Sequence, residues 1–156
     1  MRRKDREVTD PAKIEDIISR CVCCRIGFND NGRVYIVPLN FGYEKTGENY
    51  TFYFHGAQEG RKIELIRRSP CVGFEMDTHY KLNEGEKACD YSARFQSVIG
   101  SGEMRMVTET QEKRHGLDLI MEYTTGKRRW DYPEPMLREV AIFKLSVTEL
   151  SCKEHL

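Results

Sequence analysis

The chain has no surplus of charge. Its 156 residues carry 25 Lys and Arg against 25 Asp and Glu, and the pI lies near 6.9. A balanced chain has no global field to draw it to nucleic acid or an anionic bilayer, so neither partner is expected. Long apolar runs are missing too. None approaches the roughly 20 residues that cross a membrane. The basic opening "MRRKDREVTD" is not followed by the apolar core of a secretory leader. The expectation is a cytoplasmic protein with no membrane contact. Prolines number only five, so each marks a backbone constraint. Six cysteines are present, but "CVCC" has no second cysteine pair to complete a zinc knuckle. Cysteines within apolar segments serve as small hydrophobes, and no metal site is expected. A reducing compartment disfavours structural disulfides.

What is present suits one domain over residues 1–156. "TDPAKIEDIISR" predicts a helix with Thr9 or Asp10 as cap, Pro11 at its first position and a stripe of Ile14, Ile17 and Ile18. Strands follow at "CVCCRIGF", "RVYIVPLNFGY" and "YTFYFH", separated by the turn signals Asn31-Gly32 and "EKTGEN". In "YTFYFH", Tyr50, Phe52 and Phe54 share one face, and Thr51, Tyr53 and His55 the other. A helix opens near Gly60 and stops at Ser69-Pro70. "CVGFEMD" is a strand, and "THYKLNEGEKACD" reads as loop. "YSARFQSVIGSGEMRMV" is one long strand, or two broken at Gly100-Ser101-Gly102. "TETQEKRHGLDLIMEYTTG" predicts a helix capped by Thr108 or Thr110 and ended by Gly126. "KRRWDYPEPM" reads as irregular, "REVAIFKLSVTEL" as a closing strand and "SCKEHL" as a tail. The fold class expected is mainly β (α+β), a barrel with peripheral helices.

Three places invite chemistry. Arg61 and Lys62 sit in the first turn of the Gly60 helix, where partial positive charge already disfavours cations. Either an anion such as a phosphate lies in front of them, with His55 and Gly56 close by, or they form a solvated helix start offset by Glu59 and Glu64. Pro38 interrupts an apolar strand and removes a donor. The strand is then a sheet edge, or a planar ligand faces it. Gln96 and Ser97 are adjacent polar residues in an apolar strand, so one of them points inward, to a cross-strand partner or into a site.

In this order and spacing, "PLNFGY", "YFHGAQEGRKIELI", "GFEMD" and "FQSVIGSGE" resemble the pyridoxamine 5′-phosphate oxidase-like proteins, in their nitroimidazole-resistance branch. The likeness runs from Asp5 to "LSCKEH". It implies an FMN-binding split β-barrel that forms a homodimer, with flavin sites at the interface. By the same resemblance, Val37, Pro38, Leu39 and Asn40 lie along the isoalloxazine ring. Phe54, His55 and Gly56 line the site, and Arg61 and Lys62 hold the phosphate. Gln96 and Ser97 approach the flavin from one subunit or the other.

The partner chemistry implied is a small planar electron acceptor, such as a nitroaromatic or quinone. His55 is the candidate for proton delivery or substrate contact, the alternative being a hydrogen-bond donor to phosphate or backbone. His79, His115 and His155 read as surface residues. "KRRWDYPEP" does not match the arginine-rich segment of true pyridoxamine phosphate oxidases, so vitamin B6 oxidation is not expected. Two other readings stand beside the oxidoreductase. One is a flavin- or haem-binding sensor or store. The other is a cysteine-based metal or redox module using "CVCC" and "SCKEH".

Overall fold

Period-two alternation runs through most of the chain and is answered by one antiparallel sheet of eight strands. The computed structural model describes residues 3–156; Met1 and Arg2, at the head of the basic decapeptide, lie outside the described residues. The strands are β1 (Glu7–Val8), β2 (Cys24–Asp30), β3 (Arg33–Leu39), β4 (Gly42–Thr46), β5 (Asn49–Ala57), β6 (Cys71–Asn83), β7 (Ser92–Val107) and β8 (Val140–His155). The helices are α1 (Pro11–Ser19), α2 (Arg61–Arg68), α3 (Thr110–Thr125) and α4 (Glu134–Glu139). The order across the sheet is β3-β2-β6-β7-β8-β5-β4, with β1 paired to β8. β3 and β4 end the order without pairing to each other. The result is a split barrel with helices around it, as the mainly β expectation had it.

Local chemistry explains the boundaries. Asp10 is the cap of α1, its Oδ1 accepting from Ala12 N at 3.2 Å. Asn31 and Gly32 both take positive φ, 53° and 81°, and close the tight β2–β3 hairpin. Ser69-Pro70 ends α2, and Gly126 ends α3 in the left-handed conformation. β7 is one continuous strand. Its pairing to β8 shifts register between Ser101 and Gly102, which is the bulge expected there.

Six local expectations need correction. The run 33–43 is not one strand: β3 ends at Leu39, and Gly42 opens β4, which runs into the expected turn as far as Thr46. β2 begins at Cys24, leaving Cys21, Val22 and Cys23 outside the strand. β6 continues through Thr78–Asn83, where the polar sequence predicts loop, because Lys81, Leu82 and Asn83 pair with Arg94, Ala93 and Ser92. His79 at φ 59° marks the irregularity that hid this extension. The tail "SCKEHL" is the end of β8, since Cys152 pairs with both Val98 and Val8. α4 replaces the end of the irregular segment. α3 has Glu109 as its N-cap residue with no side-chain bond, so neither Thr108 nor Thr110 caps it.

The core has two parts. The larger lies inside the curl of the sheet and holds Ile17, Ile18, Ile26, Phe28, Phe52, Phe54, Phe74, Met76, Val98 and Phe143. The smaller lies beneath α3 and α4 and holds Tyr53, Val107, Leu117, Ile120, Tyr132, Leu137 and Ile142. β5 therefore separates two cores, with Phe52 and Phe54 facing one and Tyr53 the other.

Candidate functional site

α2 starts at Gly60, whose φ of 117° suits a residue without Cβ. No side chain caps this helix. Ile63 and Glu64 donate to Gly60 O, while the N–H groups of Arg61 and Lys62 belong to the turn that has no intrahelical acceptor. The two cations take different positions. Arg61 donates from Nε (3.0 Å) and Nη2 (2.6 Å) to Asp30 Oδ2, and its guanidinium lies 4.4 Å over the Tyr35 ring. Arg68, in the last turn, donates from Nη2 to the other oxygen of Asp30 at 2.5 Å. Lys62 lies over Phe143, with Nζ 5.8 Å from the ring centroid. A Cβ on Gly56 would meet Lys62 Cε and Nζ at 2.8 Å, so the glycine leaves room for the ammonium.

Charge is not balanced here. Arg61 and Arg68 share one carboxylate, and Lys62 has no ion-pair partner among the described residues. Glu59 and Glu64 are exposed and pair with none of them among the described residues. The cluster holds two uncompensated positive charges, which match a phosphate monoester dianion near neutral pH. The Arg61 and Arg68 guanidiniums hold the Asp30 carboxyl below the usual carboxylate range. Asp30, Tyr35 and Arg68 escaped the sequence reading because folding, not spacing, joins them to Arg61. The one clue was the tight Asn31-Gly32 turn, which throws Asp30 to the end of its hairpin.

The other expected residues divide into groups. β3 is an edge strand, so Pro38 costs the sheet no ladder bond on its open side. On β3, Val37 is half-buried, Pro38 exposed and Leu39 buried, and exposed Asn40 follows the strand. Tyr35, which carries Arg61, shares the inner face with Val37 and Leu39. The cation cluster and "VPLN" thus lie along one strand. Phe54 is wholly buried in the larger core. Gly56 is on the same face as Phe54, toward Lys62. His55 is exposed on the opposite face, with Tyr53.

Gln96 and Ser97 are elsewhere. Phe143, under Lys62, pairs with Met106, and Gln96 lies about 33 Å further along β7 by strand rise. Lys62 and Gln96 therefore lie toward opposite ends of β7. Gln96 turns inward and is 4% exposed; its Nε2 donates to Glu154 Oε2 at 3.1 Å, and Glu154 also takes Lys13 of α1. Gln96 Oε1 is buried with no donor in reach. Ser97 faces outward across from Asp77.

His115 is exposed, as expected, and also joins a second cluster. Its Nε2 lies 2.7 Å from Glu44 Oε2, and Tyr53 donates to Glu44 Oε1 at 3.0 Å. Burial, with Glu44 alongside, pushes the Tyr53 hydroxyl upward. This cluster ties α3 to β4 and β5. The cysteines form no comparable site. Cys21 and Cys24 stand at thiol-pair spacing, yet burial pushes Cys21 up to about 12 and Cys24 higher still, and Cys152 to about 11. Among the described residues no three His, Cys, Asp or Glu side chains converge to hold a metal. No helix among them is long and apolar enough to cross a membrane.

Residues 10–154 match the family model described as pyridoxamine 5′-phosphate oxidase. The chain belongs to that family. Among solved structures of the fold, a candidate 5-nitroimidazole antibiotic resistance protein from Bacteroides thetaiotaomicron is 35% identical, with a TM-score of 0.82 over 95% of this chain and 86% of that one. A flavocytochrome from Azotobacter vinelandii superposes at a TM-score of 0.81 and 19% identity, over 100% of this chain and 72% of the other. An FAD- and haem-binding protein from Mycobacterium smegmatis does so at 0.82 and 14%, over 96% and 73%. At such identities these two show the fold alone. No curated protein matches the chain in sequence.

Proposed function

We propose that the chain is an FMN-dependent oxidoreductase, acting as a homodimer on small planar acceptors of the nitroaromatic class. The observation that carries this reading is the cation cluster at the start of α2, with two positive charges unmatched and Gly56 clearing space beside Lys62. Its charge and free helix N–H groups fit a phosphate monoester. The family match and the nitroimidazole-resistance relative support a flavin ring and a nitro acceptor.

In this reading the whole chain serves as one flavin-binding domain. Arg61, Lys62 and the first N–H groups of α2 hold the phosphate. Val37, Pro38, Leu39 and Asn40 present the open β3 edge to the ring. Gly56 forms the floor near Lys62, and Phe54, buried in the core and stacked on Phe143, supports it from beneath. Ser97 serves the site of the partner subunit, a reading supported by its place along β7, far from the Lys62 end, with Gln96 holding that strand end from beneath through Glu154 and Lys13. His55, exposed and with an imidazole that makes no hydrogen bond among the described residues, meets the acceptor and carries its proton. The flavin supplies the electron transfer when bound.

The test is the visible spectrum of the purified protein with added FMN, then turnover with reduced nicotinamide and a nitroaromatic. A flavin spectrum in the parent, lost in Arg61→Ala/Lys62→Ala, supports the cradle. Consumption of the nitroaromatic supports the oxidoreductase. A parent that takes up no FMN sinks the proposal, and a haem spectrum in its place would do the same.

A further inference from the structure

Asp30 would touch no part of the flavin in the proposed site, yet it contacts both arginines of the cation cluster. It ends β2 and reaches across to both ends of α2. Oδ2 accepts from Arg61 Nε and Nη2, and Oδ1 from Arg68 Nη2. Its side chain is 19% exposed, against about half for each arginine.

We propose that Asp30 is the positioning residue of the phosphate subsite, locking Arg61 over Tyr35 with part of its guanidinium left free for the ligand. The inference rests on the FMN reading above. A guanidinium has five N–H donors in one plane. Asp30 engages the Nε–H and one Nη2–H, so both Nη1 hydrogens and the second Nη2 hydrogen remain. Tyr35 fixes the plane from below at 4.4 Å. The side-chain freedom that an arginine loses on gripping a phosphate is therefore already lost before the ligand arrives.

A carboxylate beside a phosphate could equally repel it, and Arg68 decides between the two effects. Its guanidinium sits on the far oxygen of Asp30 and offsets that negative charge. Arg61 is held without being neutralised, because the carboxylate is shared between two cations. The geometric gain remains and the electrostatic cost is largely cancelled.

The experiment titrates the full-length protein, freed of bound flavin, with FMN and with riboflavin. Riboflavin has the same ring and no phosphate. In Asp30→Asn the expected result is about a tenfold loss of FMN affinity with riboflavin affinity unchanged. Asp30→Glu, which keeps the charge and moves Arg61 by one methylene, is expected to lose less. It also serves as the second variant should Asp30→Asn fail to fold. FMN affinity equal to or tighter than the parent would make Asp30 a competitor and overturn the proposal. Parallel loss of FMN and riboflavin would show general loosening and also overturn it. A parent that binds neither ligand refutes the FMN reading itself, which separates the two failures.

Discussion

Gly56 shows how a single missing atom shapes the site. Its absent Cβ leaves the space that Lys62 Cε and Nζ occupy. Gly56→Ala should expel the lysine tip, which is flexible and moves at little cost to the fold. The expected result is a several-fold weaker FMN affinity with a nearly unchanged urea midpoint. Equal FMN affinity in the variant would remove Lys62 from the site. The cysteines give a second residue-scale prediction. Cys71 and Cys89 are exposed, whereas Cys21, Cys24 and Cys152 are buried with thiols pushed upward by desolvation. In native protein at pH 8, an alkylating reagent should label the first two rapidly. The buried three should react only on unfolding. Their raised folded values also set the sign at high pH. The stabilisation is complete below about pH 8, where unfolded thiols remain protonated, and falls as the pH rises toward the folded values, about 11 for Cys152 and about 12 for Cys21. Fast labelling of Cys24 in the folded protein would contradict this.

At the scale of elements, α3 depends on close approach to β4. A Cβ on Gly42 would lie 2.3 Å from Leu119 C and 2.4 Å from Ile120 N, both backbone atoms. Neither can swing away, so Gly42→Ala must push the helix off the sheet. A loss of about 1–3 kcal/mol is expected, read as a lower urea midpoint with unchanged slope. An unchanged midpoint would mean that α3 docks more loosely than the Tyr53–Glu44–His115 contacts indicate. This element also shows what the sequence could tell. Asp10, Asn31-Gly32, Ser69-Pro70 and Gly126 act within a few residues of their own positions, Asp10 by a side-chain cap and the others through the backbone, so their positions are readable. The ends of β6 and β8 are not, because their polar residues form strands only through pairing to β7. The candidate site divides the same way. Arg61 and Lys62 were visible as misplaced charges in a helix start. Asp30, Tyr35 and Arg68 became neighbours only when the β2–β3 hairpin met α2.

At the scale of the whole molecule, the long β7 strand carries a consequence for assembly. It holds the Met106 end near Lys62 and the Ser97 end far from it. In the proposed dimer, each flavin site joins the α2 start of one chain to the Ser97 end of the other, and a closed two-fold pair makes both sites alike. That arrangement predicts complementation. Arg61→Ala/Lys62→Ala lacks the phosphate end. A Ser97 variant with a bulky side chain, such as Ser97→Trp, blocks the other. Each alone should bind little FMN. When the two are unfolded together and refolded in equal amounts, half of the dimers are mixed, and each mixed dimer has one site free of both changes. About a quarter of all sites should then bind FMN, measured by flavin absorbance per chain after desalting. A site contained within one chain gives a different result. Every site would then carry one of the two defects, and refolding the mixture would recover no binding.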